Sequence, residues 1–168
     1  MQVAPLLATK CATPLGSLTL ITDEQVVLAA GFSSLEELRT KLADADGSRE
    51  IKRSKSLNWL TDLVVDYFEG DIDAFISLKV RQPGNEFSQS AWRAMRKIRS
   101  GTVISYATLA KRAGSPSAVR AAGTACGRNA IAPIIPCHRI IRTDGTLGNY
   151  GYGLSKKRWL LRHEGAID

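Results

Sequence analysis

Apolar and polar residues alternate in two neighbouring segments near the start of the chain. In Ser17–Thr22, Leu18 and Leu20 alternate with polar residues, and a second apolar run covers Val26–Phe32. Alternation with a period of two places every second side chain on one face, which is typical of a strand buried on one side. The pattern therefore predicts two consecutive strands of a meander, preceded by a turn at Pro14–Gly16.

The remainder of the first half predicts two helices and one further strand. Ser34 begins a helix with leucines at helical spacing that ends at Asp44–Gly47, and a second helix covers Ser56–Phe68. A short strand follows at Phe75–Val80. This half contains no histidine, and its single cysteine lies near the N-terminus, so it contains no set of residues typical of catalysis. We therefore expect a small α+β support domain.

The second half of the chain is predicted to be mainly helical. The loop signal Gln82–Gly84 separates it from the first half, so we expect one domain at 1–82 and a second at 83–168. Apolar residues in Phe87–Arg99 share one face while the basic residues lie elsewhere, which predicts an amphipathic helix with a basic outer surface.

Two short helices separated by a tight turn are predicted next. Ser105 caps a helix over Tyr106–Ala113, and a glycine ends that helix. Ser115 caps a second helix that begins with Pro116 and runs to about Gly127. Two helices in this arrangement form a helix-turn-helix, a motif found in many DNA-binding proteins.

The helix-turn-helix covers about residues 105–127. Its second helix consists of small residues and one large cation, Arg120. A helix that reads base edges in the major groove normally displays several Asn, Gln or Arg side chains. Because this helix does not, its composition favours close docking in a minor groove by shape, with one inserted side chain.

Composition and charge then narrow the class of protein. The chain has 168 residues, 44% of them hydrophobic and 23% charged, which excludes a disordered or fibrous protein. Its net charge of +7 is unevenly distributed, since residues 1–82 carry −3 and residues 83–168 carry +10. The basic half indicates a polyanionic partner, with nucleic acid favoured over a membrane surface. A soluble domain that simply has a high isoelectric point explains the same charge equally well.

Other features bear on the compartment and on metal binding. No apolar stretch is long enough to span a membrane, and the N-terminus lacks a signal-peptide pattern, so we expect a soluble, unsecreted protein. Cys11, Cys126 and Cys137 form an odd set without CxxC spacing, which indicates a reducing compartment such as the cytoplasm. With only His138 and His163 available in addition, we expect no metal site.

Cys137 is the strongest candidate for chemistry in the sequence. It follows an apolar run between Pro133 and Pro136, which predicts an extended, largely buried segment that holds the thiol in a rigid position. A thiol becomes a nucleophile when a cation or a histidine base lowers its pKa from about 8.5. A nucleophilic role for Cys137 therefore requires a base near this residue.

Two histidines and one carboxylate could serve the cysteine. His138 adjoins Cys137, whereas His163 lies beside Glu164 in a predicted last helix over Ser155–Glu164. A carboxylate can orient an imidazole, so a cysteine, a histidine and a glutamate together form a nucleophile, a base and an orienting group. The alternative is that Cys137 is only a small buried side chain, the common state of a lone cysteine.

The segment Ile135-Pro136-Cys137-His138-Arg139-Ile140 resembles the active-site signature of the O6-alkylguanine-DNA alkyltransferases, also called methylated-DNA–protein-cysteine methyltransferases. Further motifs of this family occur in the family order: Val103–Tyr106, Ala113–Pro116, Ala118–Ala121, Asn129, Gly148–Tyr150, Trp159–Leu161 and His163–Gly165. These matches span nearly all of residues 87–165. The first half resembles the family's N-terminal domain more loosely, through Thr13–Gly16 and Tyr67–Gly70.

The resemblance implies a suicidal repair protein that needs no cofactor. Cys137 would take an alkyl group irreversibly from O6 of a flipped guanine in double-stranded DNA, and O4 of thymine is left open as a second target. His138 would act through water as the base, with Glu164 holding its imidazole. Asn129 would brace the turn before the active-site segment, and Tyr106 would donate a hydrogen bond to the guanine ring. Arg139 is expected to be structural.

The resemblance also implies a fold, a DNA interface and an alkyl pocket. The fold would be α+β: a small N-terminal antiparallel-sheet domain with helices, followed by a mainly helical winged helix-turn-helix domain that carries the cysteine. Asp144-Gly145 would form the hairpin turn of the wing. Arg120 would replace the extruded base in the duplex. The other expected DNA contacts are Tyr106, Ser105, Ala121 and Gly123, and the expected pocket residues are Tyr150, Gly151, Tyr152 and Pro136.

One departure and three alternatives accompany this interpretation. Tyr152 stands where several relatives carry a small residue, so it could narrow the pocket against bulky alkyl groups. A winged-helix regulator, a lesion-binding relative without chemistry, or one module of a larger adaptive-response protein would share parts of the pattern. The retained Cys137 argues against the first two, and the absence of a Cys-rich extension argues against the third. We expect a monomer, with cooperative binding along DNA left open.

Overall fold

A computed structural model describes residues 3–168, which divide into two compact units. The first unit comprises the chain up to Pro83 together with Ala130–Ile134, and the second comprises Gly84–Asn129 and Ile135–Asp168. The sequence-based division differs by one residue at the boundary, since Pro83 belongs to the first unit, and it assigned residues 130–134 to the second domain. In the structure these residues pair with a strand of the first unit: Ala30 N donates to Ala130 O at 2.9 Å, and Ala132 N donates to Ala30 O at 3.0 Å. Such a pairing between distant segments leaves no local pattern in the sequence.

A five-stranded sheet forms the first unit. Its strands are β1 (Leu6–Thr13), β2 (Gly16–Asp23), β3 (Val26–Gly31), β4 (Ile51–Arg53) and β5 (Lys79–Val80), in the order β4-β1-β2-β3-β5. The three central strands pair antiparallel, and both edge strands pair parallel, so the sheet is mixed rather than purely antiparallel. The two predicted strands are confirmed as β2 and β3. Strands β1 and β4 were not predicted from the sequence.

The helices of the first unit are shorter than the sequence pattern indicates. They are α1 (Leu35–Arg39), α2 (Asp44–Gly47) and α3 (Asn58–Phe68). Ser34 caps α1 as predicted, since its hydroxyl accepts from Glu37 N at 3.2 Å. The prediction of one helix up to Asp44–Gly47 is wrong, because α1 ends at Arg39 and the chain then turns, with Leu42 N donating to Arg39 O.

The predicted strand at Phe75–Val80 is also mostly wrong. Only Lys79–Val80 forms a strand, and the preceding residues form turns in which Leu78 N donates to Phe75 O at 3.1 Å. Phe75 of this segment packs in an aromatic cluster instead, stacked on Tyr67 at a centroid distance of 4.6 Å, whereas Ile76 is exposed. The short apolar run in the sequence therefore did not indicate a strand, because Phe75 is buried from a turn.

The second unit is mainly helical. Its elements are α4 (Glu86–Arg96), β6 (Ile104–Ser105), α5 (Tyr106–Arg112), α6 (Val119–Arg128), a 3-10 turn (Cys137–Arg139), β7 (Ile140–Ile141) and α7 (Leu154–His163). The Asn85 side chain caps α4 by accepting from Ser88 N at 2.8 Å. Helix α4 ends three residues before the predicted Arg99. Trp92 joins α4 to α6, because its indole N–H donates to Ala125 O at 2.9 Å.

Helices α5 and α6 form the predicted helix-turn-helix, with one correction at the start of the second helix. Ser105 caps α5 and accepts from Thr108 N at 3.0 Å. Ser115 does not cap α6, which begins at Val119. Residues 115–118 form a turn of their own, in which Ala118 N donates to Ser115 O at 2.9 Å, and Ala118 has a non-helical backbone.

The turn predicted for the wing is present, but in the described residues it is not followed by a second regular strand. Strand β7 pairs with β6, parallel, and no second hairpin strand follows it within residues 3–168. The Asp144-Gly145 turn itself is present: Arg142 N donates to Thr146 O at 2.9 Å, and an oxygen of Asp144 accepts from Thr146 N. The chain then passes through Gly148, whose φ of +73° is unsuited to a strand.

Candidate active site

Cys137 lies in a segment of the second unit that the structure buries almost completely. The thiol-bearing residue is 7% exposed and begins the 3-10 turn, in which Ile140 N donates to Cys137 O. The backbone before it is also fixed, since Cys137 N donates to Ile135 O at 2.9 Å. The backbone of the cysteine is therefore hydrogen-bonded on both sides, as expected for a residue that must be held in one position.

Asn129 stabilises the same backbone from the end of α6. Its side-chain amide donates to Ile135 O at 2.8 Å, and the asparagine is 5% exposed. Ile135 O thus accepts from both Asn129 and Cys137. This buried bond connects Asn129, the residue that follows α6, to the segment that carries the thiol.

A buried network of His138, Arg139 and Glu164 adjoins Cys137. His138 Nε2 lies 2.9 Å from one Glu164 oxygen. Arg139 contacts both oxygens of the same carboxylate, with Nε at 2.9 Å and a terminal nitrogen at 3.0 Å, and its other terminal nitrogen donates to Ile98 O. All three residues are at most 9% exposed. Charge-assisted bonds of this bidentate kind hold a carboxylate in a defined orientation.

Burial and pairing set the protonation states of this network. Burial lowers the pKa of His138 below its ordinary value, despite the opposing attraction of Glu164. Burial raises the pKa of Glu164, but its interactions with His138 and Arg139 outweigh burial and hold the pKa well below the usual range. At neutral pH an ionised Glu164 therefore accepts a hydrogen bond from the Nε2–H group of a neutral His138. This leaves Nδ1 of His138 as the basic nitrogen, and within residues 3–168 it has no hydrogen-bond partner.

His163, the other histidine that the sequence offered, lies outside this network. Its ring stacks on Trp159 at a centroid distance of 4.7 Å, and the side chain is half-buried. The structure therefore pairs Glu164 with His138.

Lys157 is a buried cation that the sequence analysis missed. It is 0% exposed, and its ammonium group donates to Ile140 O at 2.6 Å and to Asn149 O at 3.0 Å. Burial lowers its pKa, and the nearby Cys137 acts in the opposite direction. A helical signal was available in the sequence, because Lys157, Leu160, Leu161 and Glu164 share the spacing of one buried helix face.

A cavity of about 610 Å³ adjoins the thiol of Cys137 within the second unit. Its lining residues are Tyr106, Val119, Arg120, Gly123, Thr124, Cys126, Gly127, Cys137, Arg142, Asn149, Tyr150 and Gly151. The volume lies within the range of small-molecule sites in proteins. Two arginines and no carboxylate contribute to the lining.

Tyr106 lines the cavity, and the backbone of Gly148 lies directly against its ring. Gly148 has a φ of +73°, and a Cβ at this position would lie 2.8 Å from the Tyr106 hydroxyl. Burial raises the pKa of Tyr106, although the Asn149 backbone donates a hydrogen bond that opposes the shift. The hydroxyl therefore stays protonated at neutral pH and can donate a hydrogen bond into the cavity.

The structure brings together many of the residues proposed from the sequence, but not all of them. Tyr106, Arg120, Gly123, Tyr150 and Gly151 line the cavity with Cys137. Four others lie outside the lining in the described part of the chain: Ser105 caps α5, Ala121 is exposed on α6, Pro136 precedes the 3-10 turn, and Tyr152 packs edge-on against Tyr150 at 5.8 Å.

Membrane spans and metal clusters are both absent from the described part of the chain. None of the helices within residues 3–168 combines the length and the apolar character needed to cross a bilayer. No group of three or more His, Cys, Asp or Glu side chains in this range is arranged to hold a metal ion. All three cysteines are present as thiols rather than in disulfides.

Comparisons with known proteins agree on one family. Residues 86–166 match the model of the 6-O-methylguanine DNA methyltransferase DNA-binding domain. A methylated-DNA–protein-cysteine methyltransferase of Shigella flexneri is 39% identical over 166 residues, which cover 96% of this chain and 97% of that protein.

Solved structures agree with this match. The O6-methylguanine methyltransferase of Mycobacterium tuberculosis has a TM-score of 0.75 and 29% identity, and the comparison covers 97% of this chain and 94% of that one. A structure of the M. tuberculosis protein OGT in complex with DNA has a TM-score of 0.73, with 95% and 93% coverage. The chain therefore belongs to the methylated-DNA–protein-cysteine methyltransferase family.

Proposed function

We propose that this protein repairs DNA by direct reversal of alkylation damage. In this reaction Cys137 removes an alkyl group, typically methyl, from O6 of guanine in duplex DNA and retains it as a thioether. The observation that carries the proposal is the buried His138–Glu164–Arg139 network next to a thiol that borders a cavity. Family membership and the DNA complex of the M. tuberculosis relative support the same function.

The proton of the thiol would pass to His138. Nδ1 is the basic nitrogen of this imidazole, because Nε2 donates to Glu164, and transfer through one water would generate the thiolate. Glu164 stabilises the resulting imidazolium, and Arg139 keeps the carboxylate in place. Arg139 therefore acts as a positioning residue of the network.

The transfer step is a displacement at the alkyl carbon. The Cys137 sulfur forms a bond to this carbon while the bond from carbon to guanine O6 breaks, and its electron pair remains with the base. Tyr106 donates a hydrogen bond to the guanine ring and stabilises the negative charge that the departing base gains. The proton that His138 took from the thiol returns through water and leaves the base neutral. The thioether is stable, so each molecule reacts once. No cofactor enters this balance.

The substrate base must leave the duplex to reach the thiol. Unstacking costs a few kcal/mol and is least costly for a damaged base, which favours lesions over intact guanine. Arg120 lies in the first turn of α6, the recognition helix, and lines the cavity, so it can occupy the space that the extruded nucleotide vacates. We assign the binding of duplex DNA to the basic second unit. The reduced cysteines fit the cytoplasm as the place of action.

A stoichiometric repair assay tests this proposal. We expect loss of O6-methylguanine from a duplex oligonucleotide to stop at one lesion per protein molecule, because the acceptor is consumed. Cys137→Ser should abolish repair while leaving duplex binding intact.

Cys126→Ser provides a matched control, since Cys126 borders the same cavity. Burial raises the pKa of Cys126, so its thiol stays protonated and is a poor acceptor. This variant should repair at the full stoichiometry. Binding of the lesion without any repair by the wild type would instead support the alternative of a lesion-binding protein.

A further inference from the structure

Arg142 is a cavity residue to which neither the sequence motifs nor the mechanism above assign a role. It follows β7 directly and begins the turn that contains Asp144. Its backbone is fixed on both sides of this turn, because Arg142 N donates to Thr146 O at 2.9 Å and Gly145 N donates to Arg142 O at 3.0 Å. The residue is exposed, and it lines the same cavity as Cys137. A fixed backbone thus presents an exposed cation to the cavity.

The guanidinium of Arg142 forms no ion pair with another residue in the range 3–168. The carboxylate of its own turn, Asp144, is already engaged, since one oxygen accepts from Thr146 N at 2.9 Å and from the Thr146 hydroxyl at 2.7 Å. These bonds, with a smaller contribution from Arg142, lower the pKa of Asp144. Asp144 is therefore satisfied without direct contact to the guanidinium.

The charge of Arg142 affects the pKa of two groups near the cavity, Tyr106 and Lys157. Burial raises the pKa of Tyr106, and Arg142 is among the groups that oppose this shift. Burial lowers the pKa of Lys157, and Arg142 adds to that effect. The cavity lining contains Arg120 as a second cation and no carboxylate. An anionic group of a bound ligand would therefore meet two cations and no carboxylate in the lining.

We propose that Arg142 is an anion-recognition residue of this cavity, and that its guanidinium pairs with a negatively charged oxygen group of the bound substrate. A guanidinium matches phosphate and carboxylate equally well, since it presents parallel N–H donors to two oxygens. Two parts of an alkylated duplex supply such a group: the phosphate beside the extruded nucleotide, or a carboxylate carried by the alkyl group itself. The proposal rests on the proposed function, and it assigns Arg142 to binding and specificity.

The experiment compares three substrates that differ in these groups. They are a duplex with O6-methylguanine, the same duplex with O6-carboxymethylguanine, and the free base O6-benzylguanine, which carries neither phosphate nor carboxylate. Rates of Cys137 alkylation are measured for the wild type, Arg142→Met and Arg142→Lys. Arg158→Met is the matched control, because Arg158 is an exposed arginine of the second unit outside the cavity lining.

The pattern of losses identifies the anion. If the partner is a phosphate, Arg142→Met slows both duplex reactions by about tenfold, the effect of losing one charge-assisted hydrogen bond, and the loss shrinks as salt is raised. If the partner is a carboxylate on the alkyl group, only the carboxymethyl duplex slows. In both cases the free base reacts at the wild-type rate, and Arg142→Lys retains part of the effect.

Two results would overturn the proposal. Wild-type rates of Arg142→Met on both duplexes would exclude any anion contact, and an equal loss on the free base would indicate a structural role. If no protein, including the wild type, alkylates Cys137, the proposed function fails, and fluorescence anisotropy with the two lesion duplexes then decides the role of Arg142. Weaker binding by Arg142→Met than by Arg158→Met would support it, and equal binding would exclude it.

Discussion

Glu164 accepts hydrogen bonds from both residues that follow the reactive cysteine in the chain. An ionised carboxylate in the interior is stable only when it is paired, and Arg139 supplies the bidentate pairing while His138 supplies a neutral donor. This division explains why two consecutive residues, His138 and Arg139, differ in role. In the proposed mechanism His138 exchanges protons, and Arg139 keeps the carboxylate charged and in place. The family resemblance indicated the first role, and it indicated for Arg139 a structural role without naming Glu164 as its partner.

The buried, neutral state of His138 predicts a pH dependence of stability. Its pKa is lower in the folded than in the unfolded protein, so the unfolded state binds the extra proton as pH falls through the ordinary value of about 6.5. We therefore expect stability to decrease by up to about 1.4 kcal/mol between pH 7.5 and pH 5.5. The ionised Glu164 adds a further loss only when pH approaches its ordinary value of 4.5.

Urea unfolding of the wild type and of His138→Gln at the two pH values measures this effect. The variant is expected to lose most of the pH dependence, whatever its absolute stability. The same slope in both proteins would contradict a buried neutral His138.

Among the elements, the loop after β7 and helix α6 form the walls of the cavity. The loop approaches Tyr106 so closely that residue 148 must be glycine, both for its φ and for lack of space. Helix α6 contributes small residues and one cation, Arg120, to the cavity lining, and Ala122 and Ala125 are its buried positions. The shape of the site thus depends on backbone approach as much as on side-chain chemistry.

Gly148→Ala tests the close approach to Tyr106. The added methyl group would force the tyrosine ring or the loop to move, so we expect slower transfer to Cys137 and a loss of about 1–3 kcal/mol of stability. Gly151→Ala is the stability control, because a Cβ added to this glycine of the same loop would meet no atom within 4 Å. Chemical unfolding and single-turnover kinetics measure both effects, and equal unfolding free energies for the two variants would contradict the packing argument.

Arg120, the cation that α6 contributes to the cavity lining, gives a prediction for the binding of duplex DNA. We expect Arg120→Ala to slow reaction with duplex O6-methylguanine much more than reaction with free O6-benzylguanine, because only the duplex requires a group that replaces the extruded base. Single-turnover rates on the two substrates provide the comparison. An equal loss on both would show that Arg120 has no such role.

At the scale of the whole molecule, charge is divided between the units as the sequence indicated. Residues 130–134, which the structure assigns to the first unit, carry no charge, so the first unit keeps −3 and the second keeps +10. Binding through phosphate contacts of the second unit should weaken as salt is raised. The acidic first unit offers no comparable attraction to DNA.

The sequence predicted the parts of the fold that rest on local signals. The caps at Ser34 and Ser105, strands β2 and β3, and the helix-turn-helix depend on neighbouring residues, and they were found. Pairings between distant segments were missed, such as the parallel edge strand β4 beside β1 and the insertion of Ala130–Ile134 into the first unit. A short apolar segment does not specify its pairing partner, so local periodicity cannot supply this information.

The candidate site shows the same limit. The motif around Cys137 indicated the nucleophile, and its resemblance to the family indicated His138 and Glu164. Lys157 and Arg142 were missed because each depends on contacts across the fold. Lys157 donates to two carbonyls that are distant in sequence. Arg142 lines a cavity formed by α5, α6, the 3-10 turn and the loop after β7. Tyr152 was assigned to the pocket by its position in a motif; its ring packs against Tyr150, a lining residue, and its effect on bulky alkyl groups stays a prediction.

The identity of the acceptor atom is the central claim, and mass spectrometry of the reacted protein tests it most directly. After reaction with duplex O6-methylguanine, intact mass should increase by one methyl group, and peptide fragmentation should place this group on the Cys137 sulfur. Cys137→Ser should show no increase, while Cys126→Ser should match the wild type. An unmodified wild-type protein, or a methyl group on any residue other than Cys137, would contradict the account.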